Sequence, residues 1–424
     1  MYQIFDILTI GIVVFFTYKS IPKFSQSSKY LYLLLFFLFY AVPLFLDYII
    51  GFPNYVFIGY DESYLLPTTR IIYDVAIVFT AIVIYRSKDS AERLRFSVNM
   101  AEGAFYLLLI GMLIAPVLVL LMLKTPFMLY IPQWREIGLL QNIPYYSLAE
   151  RFSYVGIFAS CFVLLTKRKF LKNPVFKKVI SLIFLYINIC IEGKRASLYI
   201  ALVTIVVIIL YQSLLASTET KMVIRKTKRS LFGLFVLSSI VFVIMYYVSI
   251  QIHTSRGGEA DRDTYTMSRV DFFRDDRIRM VIASETERGW PPILDSRLQT
   301  FSEDYKFIIP INFIIERMGI GEPFKYQHYF SAAVDGTTVS DDIMYMTTSF
   351  YAELLSNCGL IIGFILFPLF IIWLSRMTDK YPYPINLFIV ISFVLLNMFD
   401  ISYIMPTIEI TLVLCYLYNK KIIR

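Results

Sequence analysis

The amino-acid sequence predicts an all-α polytopic membrane protein of about eleven transmembrane helices with one large external loop. Of its 424 residues, 58% are hydrophobic and only 17% are charged, whereas about a quarter of the residues of a soluble domain are charged. Apolar stretches of about 17 to 25 residues recur along the chain. Each stretch is long enough to cross a hydrocarbon core as a helix. A helix satisfies its own backbone in lipid, which decides against open sheets.

The apolar stretches divide the chain into three parts. Residues 1–250 carry eight predicted spans, residues 251–349 form the external loop, and residues 350–424 carry three more spans. The predicted spans are about 2–18, 30–50, 69–85, 97–123, 151–166, 176–192, 196–214, 231–250, 350–374, 383–398 and 400–418. The first stretch has no basic n-region and no small-residue cleavage site, so it is interpreted as a retained span rather than a signal peptide.

Basic residues mark every second connection, after the odd-numbered spans. They include Lys19, Lys23, Lys29, Arg86, Lys88, Arg93, Arg95, Lys167, Arg168, Lys169, Lys221, Arg225, Arg376, Lys380, Lys420, Lys421 and Arg424. Cytoplasmic loops carry the excess of lysine and arginine, so the N-terminus is expected outside and the C-terminus inside. The same alternation accounts for the net charge of +8 without a nucleic-acid partner.

The external loop, 251–349, differs chemically from the rest of the chain. It holds sixteen Asp and Glu, two lysines and both histidines of the chain. Its nine arginines are Arg256, Arg262, Arg269, Arg274, Arg277, Arg279, Arg288, Arg297 and Arg317. A long external loop is translocated regardless of its charge, so topology does not explain these arginines.

An apolar segment near 305–318 lies inside this loop. It is too short to span and contains Pro310, which predicts an interfacial or re-entrant segment. Arg317, close to its end and followed by two glycines, would then sit at the membrane surface. The alternative is an amphipathic strut with a snorkelling arginine.

A second basic feature is the turn Glu192-Gly193-Lys194-Arg195, which joins two spans on the external side. Two cations on this side indicate an anionic ligand, because an arginine fork matches phosphate oxygens and a lysine adds a point charge. The alternative is ordinary contact with lipid headgroups, since the positive-inside rule is statistical.

Four arginines of the loop, Arg269, Arg274, Arg277 and Arg279, alternate with aspartates. A solvated helix with internal salt bridges is the default interpretation, and contacts to phosphate or sugar are the second. Ionisable residues inside spans are also functional candidates, because they are costly in lipid. They are Asp47, Asp74, Glu192, Glu353, Asp400 and Glu409.

Two residues are candidates for accepting a proton. Glu353 follows the arginine-rich loop at the outer mouth of the ninth predicted span, and His328 lies within the loop. His253 and His328 are 75 positions apart, which makes a poor metal site. No metal is therefore expected, and a solvated loop histidine is the plainer interpretation of His328.

Four parts of the chain resemble the Wzy-type O-antigen or capsule repeat-unit polymerases, and the resemblance runs nearly end to end. They are Asp47 to Tyr55 followed by Thr68 to Tyr73, the turn Gly193 to Ser197, the large outer loop, and Thr348 to Gly359. These segments are similar to that family in order and placement.

The resemblance implies a metal-independent, GT-C-like membrane glycosyltransferase with no cofactor, in the bacterial cytoplasmic (inner) membrane. It would polymerise oligosaccharides linked to undecaprenyl diphosphate at the outer face, with a polysaccharide chain-length regulator as a partner. Arg195, Lys194 and Arg317 are then expected to hold the diphosphate, assisted by Arg269, Arg274, Arg277 and Arg279. Arg195, Arg317, Glu353 and His328 are the expected catalytic residues.

Two alternatives remain open. The related O-antigen ligases have a similar build and pass finished glycan to the lipid A core. A transporter or flippase also fits eleven spans, but the sequence shows no internal repeat and has one dominant outer loop.

Overall fold

The structure is a computed structural model in which every secondary-structure element among the described residues is a helix. This confirms the all-α prediction for that part of the chain. The described residues are 2–24, 26–49, 51–52, 65–89, 102–123, 146–166, 171, 173–192, 197, 200–202, 204–205, 207–209, 273, 275–287, 349–382, 385–398 and 401–422.

Twelve of the α-helices among the described residues are numbered in chain order. They are α1 (Tyr2–Ser20), α2 (Lys29–Phe36), α3 (Val42–Ile49), α4 (Pro67–Arg86), α5 (Glu102–Leu123), α6 (Tyr146–Leu165), α7 (Pro174–Glu192), α8 (Asp275–Glu287), α9 (Phe350–Cys358), α10 (Leu360–Lys380), α11 (Ile385–Met398) and α12 (Ile401–Asn419).

Among the described residues, five candidate membrane spans are long and apolar enough to cross a bilayer. They are Gln3–Lys23, Lys29–Ile49, Pro67–Arg86, Pro174–Ile191 and Leu360–Lys380. They agree with the first, second, third and sixth predicted spans and with part of the ninth. Several apolar helices support a membrane protein, while the count of eleven spans stays a prediction. The eighth predicted span, 231–250, and the interfacial segment near 305–318 lie outside the described residues.

The chain divides into two compact units. The first draws on Met1–Ala91, Asp263–Met377 and Phe393–Met405, and the second on the remaining residues. In the second unit, α5, α6 and α7 pack together. The buried Asn188 of α7 donates to the carbonyl of Met112 on α5, at 3.1 Å. A Cβ at Gly156 of α6 would lie 2.3 Å from the Asn188 side-chain oxygen, so the absent side chain permits this close approach.

In the first unit, the second span is one apolar stretch with a π-helical turn inside it. The turn, Phe37–Ala41, separates α2 from α3, and the N–H of Val42 bonds the carbonyl of Phe37. Pro43 follows directly, and a proline has no N–H and clashes with the carbonyl four residues earlier. The wider turn accommodates that proline without ending the span.

The prediction of one continuous helix for the ninth span, 350–374, is wrong. The structure has the short helix α9, a break at Gly359, and then α10. Gly359 has φ 81°, a conformation that glycine adopts without steric cost. The side chain of Glu285 on α8 accepts from the N–H of Leu360, at 3.4 Å, and so satisfies a free donor at the start of α10.

The junction of α9 and α10 depends on Gly363. A Cβ at this position would lie 2.6 Å from the Cδ2 of Leu355 and 3.0 Å from its Cα. We therefore expect Gly363→Ala to destabilise the protein by about 1–3 kcal/mol, as overpacking does. Thermal unfolding of the detergent-purified variant measures this loss.

Gly11→Ala is the matched control, because nothing lies within 4 Å of a Cβ on that helical glycine. It should keep or slightly raise the unfolding temperature. Equal unfolding temperatures for the two variants would contradict the close packing of α9 against α10.

Candidate functional site

The candidate site is a group of charged and polar side chains in the first unit, and all of them except Tyr48 are buried. We call it the carboxylate–arginine cluster, and it consists of Asp6, Asp47, Tyr48, Arg70, Asp74, Asp275, Asp276 and Arg279. Its members come from the start of α1, the end of α3, the first half of α4, and α8. Because α1 and α4 begin where α3 ends, these distant parts of the sequence meet at one end of the helices.

Arg279 is the centre of one half of the cluster. Its Nη2 lies 3.3 Å from Asp47, 2.5 Å from Asp275 and 2.7 Å from Asp276. The guanidinium also lies over the ring of Tyr73, at 5.4 Å. The ion pair with Asp47 joins α8 to α3, whereas the other two pairs lie within α8 itself. Arg279 has no exposed surface.

Arg70 is the centre of the other half. Its guanidinium donates to Asp6 of α1 and to the hydroxyl of Tyr48 of α3, the latter at 3.1 Å. The Tyr48 hydroxyl in turn donates to Asp6. The planar face of Arg70 lies over the ring of Phe52, at 4.7 Å, a favourable arrangement for a cation. Arg70 thus ties together the ends of three helices.

The opposite end of the same helices carries lysines. Lys29, at the start of α2, forms an ion pair with Asp89 after the end of α4, at 2.6 Å. Burial of Asp89 tends to raise its pKa, but the hydrogen bond and the charge of Lys29 outweigh this and hold the pKa below its usual range. Lys23 lies over the ring of Tyr85 at this end, at 5.4 Å. Lysines and the carboxylate–arginine cluster therefore mark opposite ends.

The helix α8 corrects one prediction. A solvated helix was the default interpretation of this arginine-rich stretch, but residues 275–284 are buried. Its salt bridges at i,i+3 and i,i+4 spacing do occur. Arg277 is also buried, and its Nη1 lies 3.8 Å from the sulfur of Met280. Packing against α4 and α9 explains the burial.

Glu353 lies close to this region in the fold. It is 4% exposed and sits in the first turn of α9, the helix on which α8 packs. Ser349 caps α9 by accepting from the N–H of Ala352, at 3.4 Å. The helix dipole stabilises a carboxylate in the first turn, where Glu353 lies. Of the predicted site residues, Arg277, Arg279 and Glu353 are thus on two packed helices.

The other predicted site residues lie outside the described residues. They are Lys194, Arg195, Arg269, Arg274, Arg317 and His328. Their grouping around a diphosphate stays a prediction. In the part of the chain that the structure describes, no group of three or more His, Cys, Asp or Glu could hold a metal ion.

Two residues of the carboxylate–arginine cluster, Asp6 and Arg70, were not among the candidate residues predicted from the sequence. Asp47 and Asp74 were recognised as costly charges inside spans, and the same test applies to Asp6 in the first span and Arg70 in the third. Arg70 also lies at the predicted external end of its span, where the positive-inside rule does not predict a cation. An opposite pair of charges in two neighbouring apolar spans was the signal available.

Comparisons with family models, curated proteins and solved structures found no match to this chain.

Arg279 offers a test of how far the cluster stabilises the protein. Arg279→Met would leave buried carboxylates without their cation, and breaking a buried ion pair costs roughly 3–5 kcal/mol. We expect a large fall in the unfolding temperature of the purified protein. Arg376→Met, at an exposed position of α10, removes one arginine as a control and should change stability by at most about 0.5 kcal/mol. Similar losses in both variants would argue against the cluster.

Proposed function

We propose that the protein is a polymerase of oligosaccharide repeat units linked to undecaprenyl diphosphate, in O-antigen or capsular polysaccharide synthesis. It transfers the growing glycan from its lipid diphosphate to a sugar hydroxyl of the next lipid-linked unit. It acts without a metal as a GT-C-like glycosyltransferase, in the bacterial cytoplasmic membrane. The polymerase resemblance of the sequence is the starting point of this proposal.

The observation that carries the proposal is the position of α8. This helix of the arginine-rich loop packs on α4 and brings Arg279 to the end of α3 that lies opposite the lysines. Under the positive-inside rule the lysine end is cytoplasmic, so the cluster belongs to the outer side. Lipid-linked repeat units present their diphosphates at headgroup depth on that side, beside such a helix.

The chemistry needs positive charge and a base. The acceptor hydroxyl attacks the anomeric carbon, the bond from that carbon to the diphosphate oxygen breaks, and the diphosphate leaves with the bonding electrons. Cations near the departing oxygen stabilise its growing charge, and a base takes the hydroxyl proton. We assign the first role to Arg195, Lys194 and Arg317, and the second to Glu353 or His328.

The arginines of α8 fit a supporting role better than the role of stabilising the charge on the departing diphosphate. Arg279 already faces three carboxylates, so a diphosphate would have to displace one of them and would meet the negative charge of the others. Arg269, Arg274 and Arg277 remain candidates for contacts with the diphosphate or the sugars. This is why Arg195 comes first among the residues to test.

The chain lengths of the surface glycan of the host organism provide a test of the proposed function. Deletion of the gene should collapse a ladder of chain lengths to core plus a single repeat unit, when the glycan is separated on a gel. Restoring the gene should restore the ladder. Loss of even the single repeat would indicate a ligase, and an unchanged ladder would contradict both activities.

Arg195→Ala tests the proposed diphosphate site. Losing one donor aimed at transition-state charge lowers rates about a hundredfold to a thousandfold, so purified variant protein should fail to elongate lipid-linked units. The assay contains excess chelator, in which the unaltered protein should remain active. Arg195→Lys should rescue poorly, because lysine keeps the charge but not the bidentate fork. Normal elongation by Arg195→Ala would remove this residue from the site.

A further inference from the structure

Two carboxyl groups meet inside the first unit. Asp6 of α1 is 0% exposed and Asp74 of α4 is 1% exposed. The helices α1 and α4 pack together, and Arg70, one turn before Asp74 on α4, donates to Asp6. The Asp74 side chain accordingly lies within reach of Asp6 and in the electrostatic range of Arg70 and Arg279. Both residues belong to apolar helices that are candidate membrane spans. A carboxyl pair in such a place needs a physical explanation.

The hydrogen bonds of the pair are unevenly distributed. The Oδ2 of Asp6 accepts from the Tyr48 hydroxyl and from the Arg70 guanidinium. The Oδ1 of Asp6 and both oxygens of Asp74 accept no hydrogen bond from the described residues. A buried acceptor without a donor is costly. Three such oxygens on two neighbouring carboxyl groups indicate that a donor belongs between them.

An ionised carboxylate is only an acceptor, whereas a protonated one also has an O–H donor. Two ionised carboxylates therefore cannot bond to each other, and two like charges so close cannot both persist in an apolar setting. One proton removes both difficulties at once. It turns one member into a donor and leaves a single negative charge in the pair.

The surrounding charges distinguish the two carboxyl groups. Among the described residues, the charged and titratable groups around the pair are Tyr48 and Asp47 on α3, Arg70 and Tyr73 on α4, and Asp275, Asp276 and Arg279 on α8. Arg70 contacts Asp6 directly, and Arg279 contacts the carboxylates of α3 and α8. Asp6 thus accepts a hydrogen bond from a cation, whereas neither oxygen of Asp74 accepts one from the described residues. Asp74 is therefore the member of the pair that fits best as a neutral group.

We propose that Asp6 and Asp74 form a proton-binding site, in which Asp74 carries the proton and donates it in a hydrogen bond to the Oδ1 of Asp6. The proton comes from and returns to water. This inference does not depend on the proposed function. Its consequence is a link between helices: loss of the proton would place a second buried negative charge near Arg70 and Arg279 and would draw these arginines from their present partners.

Infrared spectroscopy of the purified protein detects the proton directly. The unaltered protein should show the carbonyl band of a protonated carboxylic acid, with a shift on transfer to D2O. Asp74→Asn should lack this band, whereas Glu353→Gln should keep it. Identical carboxylic-acid bands in the unaltered protein and in Asp74→Asn would overturn the proposal.

Matched amide substitutions separate the two carboxyl groups. Asn at position 74 reproduces a neutral group that donates to Asp6, so Asp74→Asn should unfold within a few degrees of the unaltered protein. Asp6→Asn removes the charge that faces Arg70 and should lower the unfolding temperature strongly. The proposal fails if Asp74→Asn is destabilised as much as Asp6→Asn or cannot be produced.

A metal cation in place of the proton is the competing occupant, and sodium chloride and choline chloride at equal ionic strength distinguish the two. The unfolding temperature of the unaltered protein should be the same in both salts. A stabilisation by sodium that disappears in Asp74→Asn would assign the site to the metal cation and overturn the proton.

Discussion

The burial of Arg279 among carboxylates is the interaction on which the first unit depends. A guanidinium inside an apolar protein is tolerated only when anions and hydrogen bonds replace the water that it loses. Asp275 and Asp276 lie in the same helix and accompany Arg279 wherever α8 goes, but Asp47 belongs to α3. Docking of α8 on the spans therefore brings Arg279 to a carboxylate of another helix.

This constraint also fixes where polar chemistry can occur. Asp6, Asp47 and Arg70 stand within the first or last turns of their spans, so pairing them requires α1, α3 and α4 to align at that end. The other end is aligned by Lys29 and Asp89. The two ends differ in composition, because Lys23 and Lys29 lie at one end and carboxylates with arginines lie at the other.

The proton-binding pair and the carboxylate–arginine cluster depend on the same balance between buried carboxylates and buried arginines. Arg70 donates to Asp6, and Arg279 forms ion pairs with Asp47, Asp275 and Asp276. Neither oxygen of Asp74 accepts a hydrogen bond from the described residues, so Asp74 is accommodated most easily as a neutral group that bonds to Asp6. If the polymerase proposal holds, the anionic lipid substrate approaches a region whose own carboxylates already compete for arginines. That competition makes the neutral state of Asp74 significant for the site, because each additional buried anion weakens the hold on the arginines.

The sequence by itself determined the all-α class, four of the five candidate spans and part of the fifth, and the costly charges at Asp47 and Asp74. These features depend on local composition and on the length of apolar stretches, which need no tertiary contact to be recognised. It also singled out the arginines of residues 269–279, although it favoured a solvated helix for them, since alternating charges at helical spacing usually face water.

Only the tertiary structure decided which charges meet. Asp47 and Arg279 are separated by 232 positions, and nothing in their neighbouring residues identifies one as the partner of the other. The roles of Asp6 and Arg70, the burial of α8 and the break at Gly359 likewise depend on contacts between segments far apart in the chain. Pairing energy acts through space at a few ångströms, so a residue's local sequence reveals the cost of burying its charge but not the partner that offsets it.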